Sequence, residues 1–198
     1  GRGDVECARR AIRAVPDQVG TMATLAFFSL YQDLAWVLSK PDLQLLTRFS
    51  PTAFDDRAFW AWAMWIDHDA LGDTLRAAAY ADTALQESRR QEFYGGPGEW
   101  SWLALVHARL GHRDSALAAI RNARAAIARA PDPWVDPGYQ HYFARAFVHL
   151  REPDSAVAAL RQDLSVPYNI SREWLRIDPA FATLRGHRRE PLQRRGVP

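Results

Sequence analysis

One eight-residue phrase is echoed in this chain. Arg113-Asp114-Ser115-Ala116-Leu117-Ala118-Ala119-Ile120 returns forty positions later as Pro153-Asp154-Ser155-Ala156-Val157-Ala158-Ala159-Leu160. A period in the range of roughly 20 to 50 residues marks a stacked array, in which one unit cannot bury its own apolar face and must lean on the next. The 198 residues suffice for one well-cored domain, or for three to four helical hairpins of roughly 34 to 45 residues each.

The units are helical. Period-two alternation is not sustained anywhere, and β-branched residues are scattered among alanine, leucine and arginine, which favour helix. Breaks fall at Pro16, Lys40-Pro41, Ser50-Pro51, Leu71-Gly72, Gly95-Gly96-Pro97-Gly98, Leu110-Gly111, Pro131 to Gly138, Pro153 and Val166-Pro167. Three hairpins then share one logic, an aromatic first helix, a short turn, and an alanine-rich second helix opened by an acid. They run from Asp55 to Ala70 and Thr74 to Gln91, from Glu99 to Leu110 and Asp114 to Arg129, and from Gly138 to Leu150 and Asp154 to Leu164. Gly72 and Gly111 can take the left-handed conformation that ends a helix, and Asp73, Asp114 and Asp154 can accept from the free amides that open the next. Ala77, Ala116 and Ala156 hold matching places where two helices must approach closely. The expected class is all-α.

On these residues the chain resembles the tetratricopeptide repeats. The second unit carries the pattern with Trp100, Leu103, Ala104, His107, Gly111, Ala116 and Ala123. The first keeps Met64, Gly72, Asp73, Ala77 and Ala84, and the third keeps Phe143, Ala144, Phe147 and Ala156 but has Arg151 in the glycine's place. The segments Tyr31 to Leu38, Trp60 to Asp73 and Trp174 to Gly186 are similar to the tetratricopeptide region that ends certain bacterial serine/threonine kinases and related signalling proteins. The resemblance implies a right-handed superhelical array. Residues 1–54 would form degenerate N-terminal helices (Val19 to Ser39 paired with Pro41 to Phe49), residues 55–94, 95–135 and 136–166 three repeats, and residues 167–198 a capping tail. It also implies a concave peptide-binding groove lined by Phe59, Trp62, Ile66 and Asp69 from the first unit. Ser101, Trp102, Leu105 and Arg109 would follow from the second, and His141, Tyr142, Arg145 and His149 from the third. Trp62, Trp102 and Tyr142 would then be apolar anchors, with Arg109 and Arg145 orienting an acidic group.

Charge and chemistry narrow the function. Of 25 basic residues only Lys40 is lysine, the bias of a GC-rich bacterial genome. The net charge is +2, and positive charge gathers only in the tail from Arg172 onward, so a nucleic-acid partner, which needs a broad basic face, is not expected. The apolar stretch Thr21 to Leu38 is broken by Gln32 and Asp33, which argues against a transmembrane span. The single cysteine, Cys7, excludes an internal disulfide and a cysteine metal cage. The chain opens on Gly1 and not on methionine, which suggests a processed product or a piece of something larger.

No motif for catalysis emerges. Asp67-His68-Asp69 occupies consecutive helix positions, which point about 100° apart and cannot converge by themselves. His107 and His112 are separated by a turn, and His141 and His149 lie eight apart, whereas a helical zinc pair wants the i, i+4 spacing. Gly95 to Gly98 lacks the lysine and serine of a phosphate loop and reads as a connector placing Pro97 at the next helix start. The kinase phosphate loop, His-Arg-Asp and Asp-Phe-Gly are all missing from the sequence. The expectation is a non-enzymatic scaffold without cofactor or metal, taking a protein or peptide partner, with a self-associating structural subunit as the alternative.

Overall fold

The computed structural model describes residues 3–14, 20–32, 34–54, 56–90, 95–166 and 170–186, all helix, turn or loop with no strand among them. Ten α-helices are described: α1 (Val5–Arg13), α2 (Thr21–Ser29), α3 (Lys40–Leu46), α4 (Arg57–Leu71), α5 (Thr74–Ser88), α6 (Pro97–Arg109), α7 (Arg113–Arg129), α8 (Asp136–His149), α9 (Pro153–Asp163) and α10 (Arg172–Ile177). Short 3-10 turns cover Ala35–Val37, Pro51–Ala53 and Pro179–Leu184.

Three consecutive pairs, α4 with α5, α6 with α7 and α8 with α9, pack along their lengths. The alanines explain why they can come so close. Ala77, Ala84, Ala116, Ala123 and Ala156 are all fully buried, and a methyl is the largest group that such a seam admits. The three turns are built alike. Gly72 and Gly111 have φ of 80° and 76°, and the amides of Asp73 and His112 reach back to the carbonyls of His68 and His107, both at 2.9 Å. This is the helix-ending bond pattern that a left-handed residue permits. The third turn closes the same way, Glu152 onto the Phe147 carbonyl at 2.8 Å, but the left-handed residue is Arg151 with φ of 58°. A side chain there is strained, and the chain turns regardless.

The acids after the turns divide. Asp73 caps α5 by accepting from the Arg76 amide at 3.1 Å. Asp114 and Asp154 do not cap. They stand in the first turns of α7 and α9, after His112 and Glu152, where their charge opposes the positive end of the helix dipole. Pro97 opens α6 as expected, with Glu99 reaching back to the Gly96 amide at 2.8 Å.

Nor is Val19 to Ser39 one helix. The chain leaves α2 at Leu30 and resumes as the turn Ala35–Val37, followed by α3, which a capping box of Ser39 and Asp42 opens. The reason is tertiary. The Leu30 carbonyl, freed at the helix end, accepts from the Trp62 indole at 3.0 Å, and Ala35 enters the main core beside α4. Leu25, Leu38, Leu43 and Leu46 form a second, smaller core. Residue 19, residue 55, residues 91–94 and the expected tail contact from His187 to Leu192 lie outside the described residues.

The segment before α3 meets α10. Trp36 and Trp174 lie with ring centroids 5.0 Å apart, and α1 is tied to this region by Arg9, whose Nε donates to the Val37 carbonyl at 2.8 Å. Phe181 is buried in the main core and packs edge-on against His141.

Candidate functional site: an aromatic and a polar cleft

The helices α6 and α8 lie side by side, and two side-chain contacts link α4 to α6. Near the middle, Trp62 touches Trp102, ring centroids 5.5 Å apart. At the C-terminal end, Asp69 accepts from Arg109 Nε at 3.1 Å and from Nη2 at 3.0 Å. Clefts are left on either side of the Trp62 contact, and the twelve residues expected to line one groove distribute between them and the core.

The N-terminal halves of α4, α6 and α8, with the C-terminal end of α5, line an aromatic cleft of about 590 Å³, whose walls include Phe59, Trp100, Trp102, Leu103, Tyr139 and Tyr142. Phe59 is 57% exposed at its edge, although it is a large apolar residue. Asp56 and Glu99, at the starts of α4 and α6, and Arg89 and His107 supply charged and polar groups to its lining. Burial lowers the His107 pKa, helped by His112 and Arg89, so the imidazole is neutral in the physiological range. Burial likewise raises the Tyr139 hydroxyl, with Asp136 and Asp132 adding to it.

The C-terminal halves of the same helices form a polar cleft of about 440 Å³, with Ile66, Asp69, Arg109, Arg145 and His149 facing Trp36 and Asp178 from the two chain ends. Here the arginines expected to orient a partner's acid already hold acids of this chain. Arg109 pairs with Asp69, which also accepts from the Trp65 indole at 2.7 Å, and Arg145 donates to Asp178 at 2.5 Å. Arg145 further donates through Nε to His141 Nε2 at 2.9 Å and stands 5.2 Å over the Phe181 ring. That bond requires a neutral His141, and burial with the neighbouring guanidinium holds its pKa well below the ordinary value. Burial pushes the Asp178 carboxyl up, against the pull of Arg145 and the Ala180 amide. His149 stays exposed at the rim; partial loss of hydration lowers its pKa, with Arg109 and Arg145 adding to this and Asp69 opposing it.

The remaining groove residues are interior. Trp62 is 2% exposed and packs on Trp65, Trp102 and Tyr142, so this expected anchor is buried against the other two. Leu105 is in the core, and Ser101 is buried with its hydroxyl donating to the Pro97 carbonyl at 2.6 Å. The groove expected along α4, α6 and α8 is thus partly filled by the chain's own Leu30, Ala35, Asp178 and Phe181.

Trp100, Tyr139 and Trp36 were not among the expected lining. For the first two a signal exists: Trp100, Leu103 and His107 recur at spacings of three and four on α6, and Tyr139 and Tyr142 at three on α8, so each set shares a face. Trp36 has no such signal, since its position depends on the fold-back after α2.

The histidine pairs separate in an instructive way. His107 and His112 face each other across the Gly111 turn with their Nδ1 atoms 3.4 Å apart, whereas His141 and His149 occupy different surroundings, one beside Asp163 and the other in the polar cleft. Asp67, His68 and Asp69 diverge: Asp67 is fully buried, His68 stacks on Tyr80, and Asp69 holds Arg109. No helix among the described residues is long and apolar enough to cross a membrane. Searches against protein-family models, curated proteins and solved structures return no match for the chain.

Proposed function

We propose that this chain is a non-catalytic protein- or peptide-binding module, a tetratricopeptide-like right-handed array of hairpins serving as the interaction part of a larger bacterial signalling protein. The observation that carries the reading is the aromatic cleft. Five aromatic side chains from three helices converge on about 590 Å³, and Phe59 stands more than half exposed at its edge. A monomeric fold gains nothing from leaving such a surface wet; concave apolar sites with a few polar groups at the rim are where ligands bind. An apolar side chain of a partner segment fits between Phe59, Trp102 and Tyr142, and the rim charges would set its register.

In the polar cleft Asp69 is paired with Arg109 and Asp178 with Arg145, so the two arginines expected to orient a partner's acid are engaged within the chain. The competing reading is self-assembly, favoured by Leu75 and Trp134, which are 85% and 87% exposed. Multi-angle light scattering over a range of concentrations separates the two. A monomer throughout is expected. A defined oligomer that dissociates on Trp134→Ser would replace the binding module with a structural subunit.

A further inference from the structure

The turn at Gly111 sets two imidazoles against each other. The His112 amide donates to the His107 carbonyl at 2.9 Å across the left-handed Gly111, and the same reversal brings the two side chains together, with their Nδ1 atoms 3.4 Å apart. The first turn shows that this proximity belongs to the backbone. There the Asp73 amide donates to the His68 carbonyl at 2.9 Å, and His68 Nδ1 stands 3.5 Å from Asp73 Oδ2. That pair sets a base against an acid, with His68 buried and Asp73 engaged as the cap of α5. In the second turn a histidine takes the acid's place. A neutral imidazole offers one lone pair and one N–H, so two of them facing through Nδ1 satisfy each other only if one keeps its proton on that atom. At 3.4 Å the resulting bond is long. Burial, His112 and Arg89 lower the His107 pKa, which leaves its ring neutral with a lone pair to offer.

We propose that His107 and His112 bind a divalent transition-metal ion of the imidazole-preferring class, Zn2+ or Cu2+, through their Nδ1 atoms. Zn–N bonds of about 2.0 to 2.1 Å at the tetrahedral angle hold two nitrogens about 3.3 to 3.4 Å apart, and the separation in this turn is 3.4 Å. The ring centroids lie 5.6 Å apart with the planes inclined by 51°, so the imidazoles meet nearly end to end. A rotation of the His112 ring, which is exposed, turns its lone pair onto the ion. Imidazole nitrogen selects these ions over Mg2+ and Ca2+, which take oxygen ligands. No third His, Cys, Asp or Glu joins the pair among the described residues, so water or a donor from another molecule completes the coordination shell. Arg89, the cation that acts on His107, is exposed, where water and salt screen it. Although His107 also lines the aromatic cleft, the site needs only the Gly111 turn and stands or falls independently of peptide binding there.

The test uses the full chain, 15N-labelled, titrated with zinc chloride and separately with magnesium chloride at constant ionic strength, and follows the imidazole nitrogen resonances. Zinc is expected to displace the Nδ1 resonances of His107 and His112 together and saturably, leaving those of the buried His68 and His141 in place, and magnesium to move none of them. His112→Ala alters an exposed side chain, and His107→Gln keeps a polar side chain without the imidazole. Each is expected to weaken zinc binding at least about tenfold, since even groups that only support a metal ligand are worth about 10- to 100-fold in affinity. A response to zinc that does not saturate, an equal displacement by magnesium, or unchanged zinc affinity in both variants overturns the proposal.

Discussion

Asp67 is the least comfortable residue in the fold, and its cost can be worked out. Its side chain is 0% exposed, neither carboxylate oxygen makes a hydrogen bond to the described residues, and burial pushes its pKa from 3.8 up to about 8. Between those two values the unfolded chain is ionised at this position and the folded chain is protonated, so the folded state binds one more proton. Stability then falls as pH rises, by about 1.4 kcal/mol per pH unit. From 3.8 to pH 7 is about three units, so at neutral pH the buried acid costs about 4 kcal/mol, an upper bound set by full retention of the burial. Asp67→Asn keeps the shape and cannot ionise. Urea unfolding of both proteins from pH 4 to pH 8 should show them nearly equal at the acid end. The variant should pull ahead by several kcal/mol at neutral pH, because the contributions of His141, His68 and Asp178 are common to both and cancel. A variant less stable than the parent at pH 7, or a difference that does not change with pH, would refute the reasoning.

Three further outcomes follow from single residues. Arg151→Gly relieves the left-handed φ of 58° and should stabilise by about 1 kcal/mol in thermal unfolding, whereas Gly111→Ala should cost a similar amount; a destabilised Arg151→Gly would mean that the side chain contributes more than the strain removes. Asp178→Ala leaves the buried Arg145 guanidinium without its acid and should cost about 3 to 5 kcal/mol, with the segment from Arg172 onward becoming the first site of limited proteolysis; unchanged protease resistance would show that Phe181 alone holds that segment. Trp62→Phe removes the indole bond to Leu30 and part of the contact with Trp102, a loss of about 1 to 3 kcal/mol by denaturant unfolding, and a neutral result would mean that the fold-back after α2 is held elsewhere.

Much of this architecture is legible in the residues. Gly72 and Gly111 mark their turns because few other residues take positive φ without strain, and the alanines of α5, α7 and α9 mark the seams because only small side chains fit there. Arg151 shows the limit of that reasoning. The flanking helices impose the turn whether or not a glycine is present, so the absence of a signal did not mean the absence of the structure. The break after Leu30 has no glycine or proline to announce it; it arises because a carbonyl there is needed by an indole thirty-two residues away.

The site was legible in part for the same reason. Phe59, Trp102 and Tyr142 were expected because the resemblance to tetratricopeptide repeats assigns their positions to the concave face, and they line the aromatic cleft. Trp62, Ile66, Leu105, His141 and Arg145 are on that face too, but they are buried because Leu30, Ala35, Asp178 and Phe181 fold back over them, a long-range event that no local pattern encodes. Likewise, His107 and His112 meet because Gly111 reverses the chain between them, so residues bracketing a left-handed turn are neighbours even when their spacing fits no helix face.

The most direct test of the account is selection of peptides from a random library on the immobilised chain, repeated with Phe59→Asp, which alters only an exposed side chain at the edge of the aromatic cleft. The account predicts enrichment of sequences sharing a large apolar residue and loss of their binding in the variant. No enriched sequence, or peptides bound equally well by the variant, would contradict it.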